Sequence, residues 1–275
     1  PQDDALRWPI ITDEDERAVV EVLRSGALSI HPVVTELEED YRRRFGVKHV
    51  LAHNNGTGAL HGAMHAIDLE PGDEVIVQSA TWWASVMPIL HQGGIPVFAE
   101  CEAACGGLDP EDVARRITER TKAIVVVHLF GMPSKMDELI ELARAHDLKI
   151  IEDASHAHGA TYHGRPVGTL GDIGVFSMQA NKLVPSAEGG VLLTDDDELF
   201  VRALRYGHYE RLIPMKDSPH RRFAATGFGL KFRMSPLSAA VARGQLAHLE
   251  ERNAQRNAAC VALSHRLAPL GIHTY

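Results

Sequence analysis

From residue 49 to residue 194 the chain alternates short apolar runs with amphipathic stretches. The apolar runs cover 49–53, 74–78, 95–100, 123–129, 149–152, 173–178 and 191–194, and each reads as a strand. Residues 57–67, 82–91, 110–118 and 136–146 carry apolar positions three and four apart, the period of a helix with one buried face. Val125-Val126-Val127 has no polar face, as a strand buried on both sides requires. Strands alternating with helices predict an α/β domain with a mostly parallel seven-stranded sheet flanked by helices.

Outside this block the pattern is helical. Thr12 with Asp15 three residues later is the signature of a capping box, and the helix it starts runs to about Arg24. A second helix covers 34–45, with Leu37, Tyr41 and Phe45 on one face and Gly46 as its stop. This pair is expected to form an N-terminal arm, residues 1–46, lying on a neighbouring subunit. Residues 47–235 form the large domain. The acids from Asp195 to Glu198 suit the positive end of a further helix. Residues 202–222, rich in His, Arg and Tyr, read as a long functional loop. One long helix is predicted over 236–267, followed at 271–275 by the start of a strand; together 236–275 open a C-terminal domain.

Composition narrows the class. The 275 residues are 45% hydrophobic and 24% charged, ordinary for a protein with a sizeable core. A net charge of −9 without a long basic run argues against nucleic acid and acidic membranes as partners. No apolar run is long enough for a membrane span, and no stretch reads as a signal peptide. Three scattered cysteines fit a reducing cytoplasm better than a disulfide framework. Cys101 and Cys105 lack the second pair that a structural metal site needs, so no metal is expected and they read as small loop residues. No GxGxxG follows the first strand, which excludes a dinucleotide-binding dehydrogenase.

Ligands of open α/β sheets sit beyond the carboxyl ends of the strands, and four stretches fall there. In Asn55-Gly56-Thr57-Gly58 the glycines allow close backbone approach, and the helix start favours a phosphate; a plain Asn-Gly turn with a Thr cap is the alternative. In Thr81-Trp82-Trp83 the Trp82 indole suits stacking on a flat ring, while Trp83 reads as a core or subunit contact. Asp153, where an apolar run ends, needs a donor partner. A pyridinium N–H would serve, as would a following turn, His156 or His158. Ser177 is a further phosphate donor. Lys182, the sole Lys or Arg between Arg165 and Arg202, reads as either an imine-forming amine or a solvated loop lysine.

In this order the stretches resemble the DegT/DnrJ/EryC1/StrS family of sugar and cyclitol aminotransferases. The resemblance rests on Ser25-Gly26, Asn55-Gly56-Thr57, Pro71 to Val77, Thr81-Trp82, His128 to Gly131, Glu152 to Gly159, Gly171 to Ser177, Lys182, Glu188-Gly189-Gly190 and Arg233-Met234. It implies the type I aminotransferase large domain, pyridoxal 5'-phosphate as cofactor, and a homodimer with shared active sites. It implies transfer from Glu or Gln to a keto-sugar, often nucleotide-linked, or a keto-cyclitol, in amino-sugar, antibiotic or surface-polysaccharide biosynthesis. Lys182 resembles the Schiff-base lysine, Asp153 the partner of the pyridine nitrogen, and His156 a neighbour of the phenolic oxygen. Trp82 resembles the stacking residue, and Gly56, Thr57 and Ser177 the phosphate holders. Lys231 stands where many members carry an Asn that reaches the neighbouring subunit's phosphate. Sugar 3-dehydratases of this family have histidine in place of the lysine, so Lys182 argues against that chemistry. Members are usually longer and close the site with a small C-terminal domain, which this chain is expected largely to lack; a catalytically incomplete partner subunit is the alternative. His208, Tyr209 and Arg211 are expected to meet the acceptor.

Overall fold

The computed structural model describes residues 8–224, 226, 229–272 and 274. The strands are β1 (His49–His53), β2 (Glu74–Gln78), β3 (Ile95–Ala99), β4 (Thr121–Val127), β5 (Lys149–Asp153), β6 (Thr161–Tyr162), β7 (Arg165–Pro166), β8 (Ile173–Ser177) and β9 (Gly190–Thr194). The helices are α1 (Asp13–Ser25), α2 (Pro32–Phe45), α3 (Gly56–Ala66), α4 (Met87–His91), α5 (Pro110–Arg116), α6 (Met136–Ala145), α7 (Asp197–Gly207), α8 (Pro236–Ala247) and α9 (Leu249–Leu267). One seven-stranded sheet runs in the order β1-β9-β8-β5-β4-β2-β3, and only β9 is antiparallel to its neighbours. This is the mostly parallel sheet expected from the alternating pattern.

Side chains of successive strand residues point to opposite faces, so each strand feeds two cores. Leu51, Val75, Val125, Ile151, Val175 and Leu192 pack in one layer with residues of α3 and α7. Val50, Phe176, Val191 and Leu193 pack in the opposite layer with α1, α2 and α8, while Ile76, Ile124, Val126 and Ile150 meet α5 and α6 there. Ile89 of α4 lies in the first layer and Leu139 of α6 in the second. After β2 the chain therefore turns to one face, and after β4 to the other. The carboxyl ends of these two neighbouring strands flank a topological switch point, where open α/β sheets form their ligand clefts.

The capping box of α1 is present: Asp15 N–H donates to Thr12 Oγ1, and Asp15 Oδ2 accepts from Thr12 N–H at 2.8 Å. The same carboxylate accepts from Gln245 of α8. The buried residues Leu37, Tyr41 and Phe45 of α2 join Ala239 and Leu246 of α8 in one cluster. The two N-terminal helices thus pack on α8 and on the β1, β8 and β9 side of the sheet in their own chain.

Three expectations change. The helix expected over 82–91 is a short 3-10 turn at Trp83–Ser85 followed by α4, because Pro88 has no N–H to continue a single helix. The helix expected over 236–267 is two helices broken at His248, with Leu249 buried beyond the break. Residues 202–207 are helical, not loop: Leu199, Ala203 and Leu204 are buried along one face of α7, and Arg202 pairs with Asp68 and Glu198. In 271–275, residues 273 and 275 lie outside the described residues, so the strand expected there is not described. Among the described residues no helix is long and apolar enough to cross a membrane.

Candidate active site

Strand ends, a helix start and two turns converge on one cleft of about 740 Å³. Gly56, Thr57, Trp82, Asp153, His156, Ser177 and Lys182 all line it. Residues far apart in sequence meet because the parallel strands bring their carboxyl ends to one edge. Asp153 ends β5 opposite Val127 of β4 and Val175 of β8, and β8 runs two residues further to Ser177.

The floor is built from the start of α3. Asn55 caps the helix by accepting from Gly58 N–H at 2.7 Å. A side chain at Gly56 would stand 2.7 Å from Ser177 Cβ, so only glycine lets the helix start press against the end of β8. A Cβ at Gly190 would meet the backbone of Asn55 and Gly56 at 2.6 Å, which accounts for the second glycine of the entry into β9. The result is a concave cradle at a helix N-terminus, with the Thr57 and Ser177 hydroxyls beside it. That donor set suits a phosphate.

Lys182 sits on the connection between antiparallel β8 and β9. The loop folds back on itself through Ser186 N–H to Met178 O at 2.8 Å and Ala180 N–H to Ala187 O at 3.0 Å. Lys182 N–H donates to Gln179 O, which fixes the backbone at the lysine. Burial pulls the Lys182 ammonium below its usual range, and the Asp153 carboxylate partly opposes this. A half-buried lysine with weakened hold on its proton is more readily the free amine that can act as nucleophile or base than a solvated one.

Asp153 is 5% exposed. Its Oδ2 accepts from Ser85 Oγ at 2.7 Å, and its Oδ1 from Ser155 N–H at 3.2 Å. The turn contact expected as one alternative is therefore present, but the stronger partner is Ser85. His158 is not a partner; it meets Tyr41 Oη at 3.0 Å inside the core. Glu152, one residue earlier, faces the other layer and is fully buried. It accepts from His128 Nε2 and from the amides of Gly168, Leu170 and Gly171. Chain parity alone separates the carboxylate that faces the cleft from the one that holds the fold.

His156 takes the amide of Phe130 on Nδ1 at 3.4 Å and stacks on the Phe130 ring. Nδ1 is then an acceptor, and the proton of a neutral ring resides on Nε2. Burial first, then the Lys182 charge, lower the proton affinity of His156, with Asp153 opposing. Trp82 and Trp83 are 66% and 55% exposed. Both line the cleft, so Trp83 is not a core residue. Its open position follows from the 3-10 turn that replaces the expected helix.

Two groups fall elsewhere. Lys231 is exposed on the segment whose Phe232 carbonyl accepts from Asn54 N–H, and it is not among the cleft residues. The expectation that His208, Tyr209 and Arg211 face the acceptor is not met within this chain. His208 is buried against His53, and Arg211 is held by both oxygens of Glu38. None of the three lines the cleft. Sequence reasoning missed Ser85, which carries no signal beyond its place four residues after Thr81. The described residues contain no group of three or more His, Cys, Asp or Glu suited to a metal ion.

Known proteins resemble this chain over most of its length. The chain is 39% identical over 244 residues to the GDP-perosamine synthase of Caulobacter vibrioides, covering 88% of this chain and 64% of that protein. It is 38% identical over 279 residues to the L-glutamine:scyllo-inosose aminotransferase of Streptomyces griseus, covering 97% and 65%. It therefore spans just under two thirds of the length of these relatives. The structure of an aminotransferase from Psychrobacter cryohalolentis superposes with a TM-score of 0.90 at 34% identity, covering 96% of this chain and 69% of that one. The profile of one family matches residues 9–275, and the chain belongs to that family, the DegT/DnrJ/EryC1/StrS aminotransferases.

Proposed function

We propose that this chain carries the cofactor site of an aminotransferase that passes an amino group from Glu or Gln to a keto-sugar, often nucleotide-linked, or to a keto-cyclitol. Enzymes of the family bind pyridoxal 5'-phosphate. The single observation that carries the reading is the meeting of Lys182 and Asp153 in one cleft with the Gly56 cradle. The residues present fit that cofactor. Gly56, Thr57 and Ser177 offer amide and hydroxyl donors for the phosphate. Asp153 offers a carboxylate for the ring nitrogen, Trp82 a face for the ring, His156 an N–H, and Lys182 an amine. When bound, the cofactor supplies an electron sink for charge that develops at the donor's Cα.

The protein's own part is to hold and move protons. Asp153 presents its carboxylate where a ring N–H would be stabilised. With the cofactor bound, Lys182 Nζ, favoured in its neutral form by burial, would take the proton from the donor's Cα, pass it to the cofactor's carbon, and run the same transfer in reverse when the acceptor is aminated. A shared homodimeric site in the cytoplasm, with Lys231 contacting the neighbouring subunit's phosphate as a point charge, completes the proposal. The relatives' printed names support both acceptor classes and glutamine as a donor.

The test is an absorption spectrum of purified protein with pyridoxal phosphate, before and after Glu or Gln. The expected outcome is a protein-bound band that at least one donor converts to that of the aminated cofactor. A bound band that neither donor changes would overturn amino transfer and leave a cofactor-binding module.

A second measurement addresses the cradle. Gly56→Ala is expected to weaken pyridoxal phosphate binding at least about tenfold, since the added methyl displaces either Ser177 or the helix start. Binding of pyridoxal, which lacks the phosphate, should change little. Equal losses for both compounds would place the phosphate elsewhere.

A further inference from the structure

We propose that Ser85 is a positioning residue that holds Asp153 for recognition of the cofactor's ring nitrogen; this rests on the cofactor reading above. Ser85 and Asp153 are 68 residues apart in sequence, yet Ser85 Oγ lies 2.7 Å from Asp153 Oδ2 with both residues buried. Thr81 Oγ1 lies 2.9 Å from the same Ser85 oxygen.

The proton directions follow from charge. An ionised carboxylate only accepts, so the Ser85 proton points at Asp153. Ser85 Oγ then has only lone pairs left for Thr81, and Thr81 Oγ1 is the donor. Two hydroxyls in series therefore point at one carboxylate, and each polarises the next. Among the described residues the opposite oxygen receives only the longer Ser155 amide contact, at 3.2 Å. Ser85 is thus the main restraint on the rotation of the carboxylate. Without it, the acid swings freely in the plane where it must meet a ring N–H.

The placement of Ser85 adds a second consequence. It ends the 3-10 turn Trp83–Ser85, whose cap is Trp82. The turn that carries the indole is therefore tied directly to the acid. The face on which a ring stacks and the carboxylate that meets its nitrogen are set by one contact.

The test measures equilibrium binding of two compounds to the full chain: pyridoxal phosphate, and its analogue with C–H in place of the ring nitrogen. Loss of a hydrogen bond to a charged group is expected to weaken pyridoxal phosphate binding by Ser85→Ala roughly tenfold or more. The analogue offers Asp153 no N–H, so its affinity should fall less than about twofold by the same reasoning. Ser85→Thr keeps the hydroxyl and should restore pyridoxal phosphate binding. Thr81→Val, which removes only the outer hydroxyl, should give a smaller loss with the same selectivity. If Ser85→Ala does not fold, the Ser85→Thr and Thr81→Val pair carries the comparison. Equal losses for both compounds, or a folded Ser85→Thr that restores nothing, would overturn the inference and leave Ser85 a packing residue. Wild-type protein that binds neither compound overturns the cofactor reading itself.

Discussion

Lys182→Ala is expected to lower the rate at which Glu or Gln aminates the cofactor by at least roughly 10²–10⁴-fold, the contribution typical of a positioned general base. Lys182 reaches the cleft from a loop whose backbone is held at both sides, through Met178 and Ala187. The residue is therefore placed and not merely present. Burial weakens its hold on a proton, while the Asp153 charge limits that effect. Both influences matter, because a base must be neutral to accept a proton and basic enough to keep it. Among the described residues no other Lys or Arg lines the cleft, so no second ammonium or guanidinium there stands ready to substitute. The measurement is single-turnover kinetics, following the cofactor's absorption after mixing with donor. Adding a small primary amine should return part of the rate, since it restores a base without restoring the side chain. A variant that retains more than about a tenth of the rate would place the proton transfer on another group, with His156 first in line.

Much of this was legible before the structure. The sheet followed from seven apolar runs with turn residues between them, and each run lies within two residues of a strand. The chemistry was legible where it stood at strand ends: Asn55-Gly56-Thr57, Asp153 and Ser177 all follow or close an apolar run. What stayed hidden depends on packing between distant segments. Ser85 has no local signature, because its function comes from a strand 68 residues away. The open position of Trp83 depends on a break that Pro88 imposes further along the chain. Residues 202–207 looked like a loop because they open the stretch 202–222, which is rich in His, Arg and Tyr. Their helix is carried by Leu199, Ala203 and Leu204 beneath those side chains. The two-residue strands β6 and β7 were too short to show alternation, and their turn uses His163-Gly164, both at positive φ, where Asn-Gly is the usual signal.

Glu152 and Asp153 allow a direct test of how neighbouring carboxylates divide their work. Glu152→Ala is expected to destabilise the fold by at least about 4 kcal/mol. It would strand the buried Gly168 amide, the part-buried amides of Leu170 and Gly171 and the buried His128 imidazole, each unsatisfied buried donor costing about 1–3 kcal/mol. Against a total stability of about 5–15 kcal/mol, that removes a large share of the margin that keeps the chain folded. Glu152→Gln keeps one acceptor oxygen but turns an NH₂ group toward donors, so it should fall between wild type and alanine. Asp153→Asn leaves one oxygen for Ser85 and disturbs no strand pairing, because Asp153 is paired through its backbone. Its cost in stability should be within about 1 kcal/mol, the scale of one hydrogen bond, while cofactor binding and donor turnover are lost. Urea unfolding midpoints for the three variants, read beside pyridoxal phosphate titrations, separate the roles. A Glu152→Ala protein as stable as wild type would mean that water or a rearranged 168–171 turn satisfies the stranded donors. An Asp153→Asn protein as unstable as Glu152→Ala would mean that Asp153 too serves the fold. Either result would remove the argument that side-chain parity on β5 assigns one carboxylate to structure and the next to chemistry.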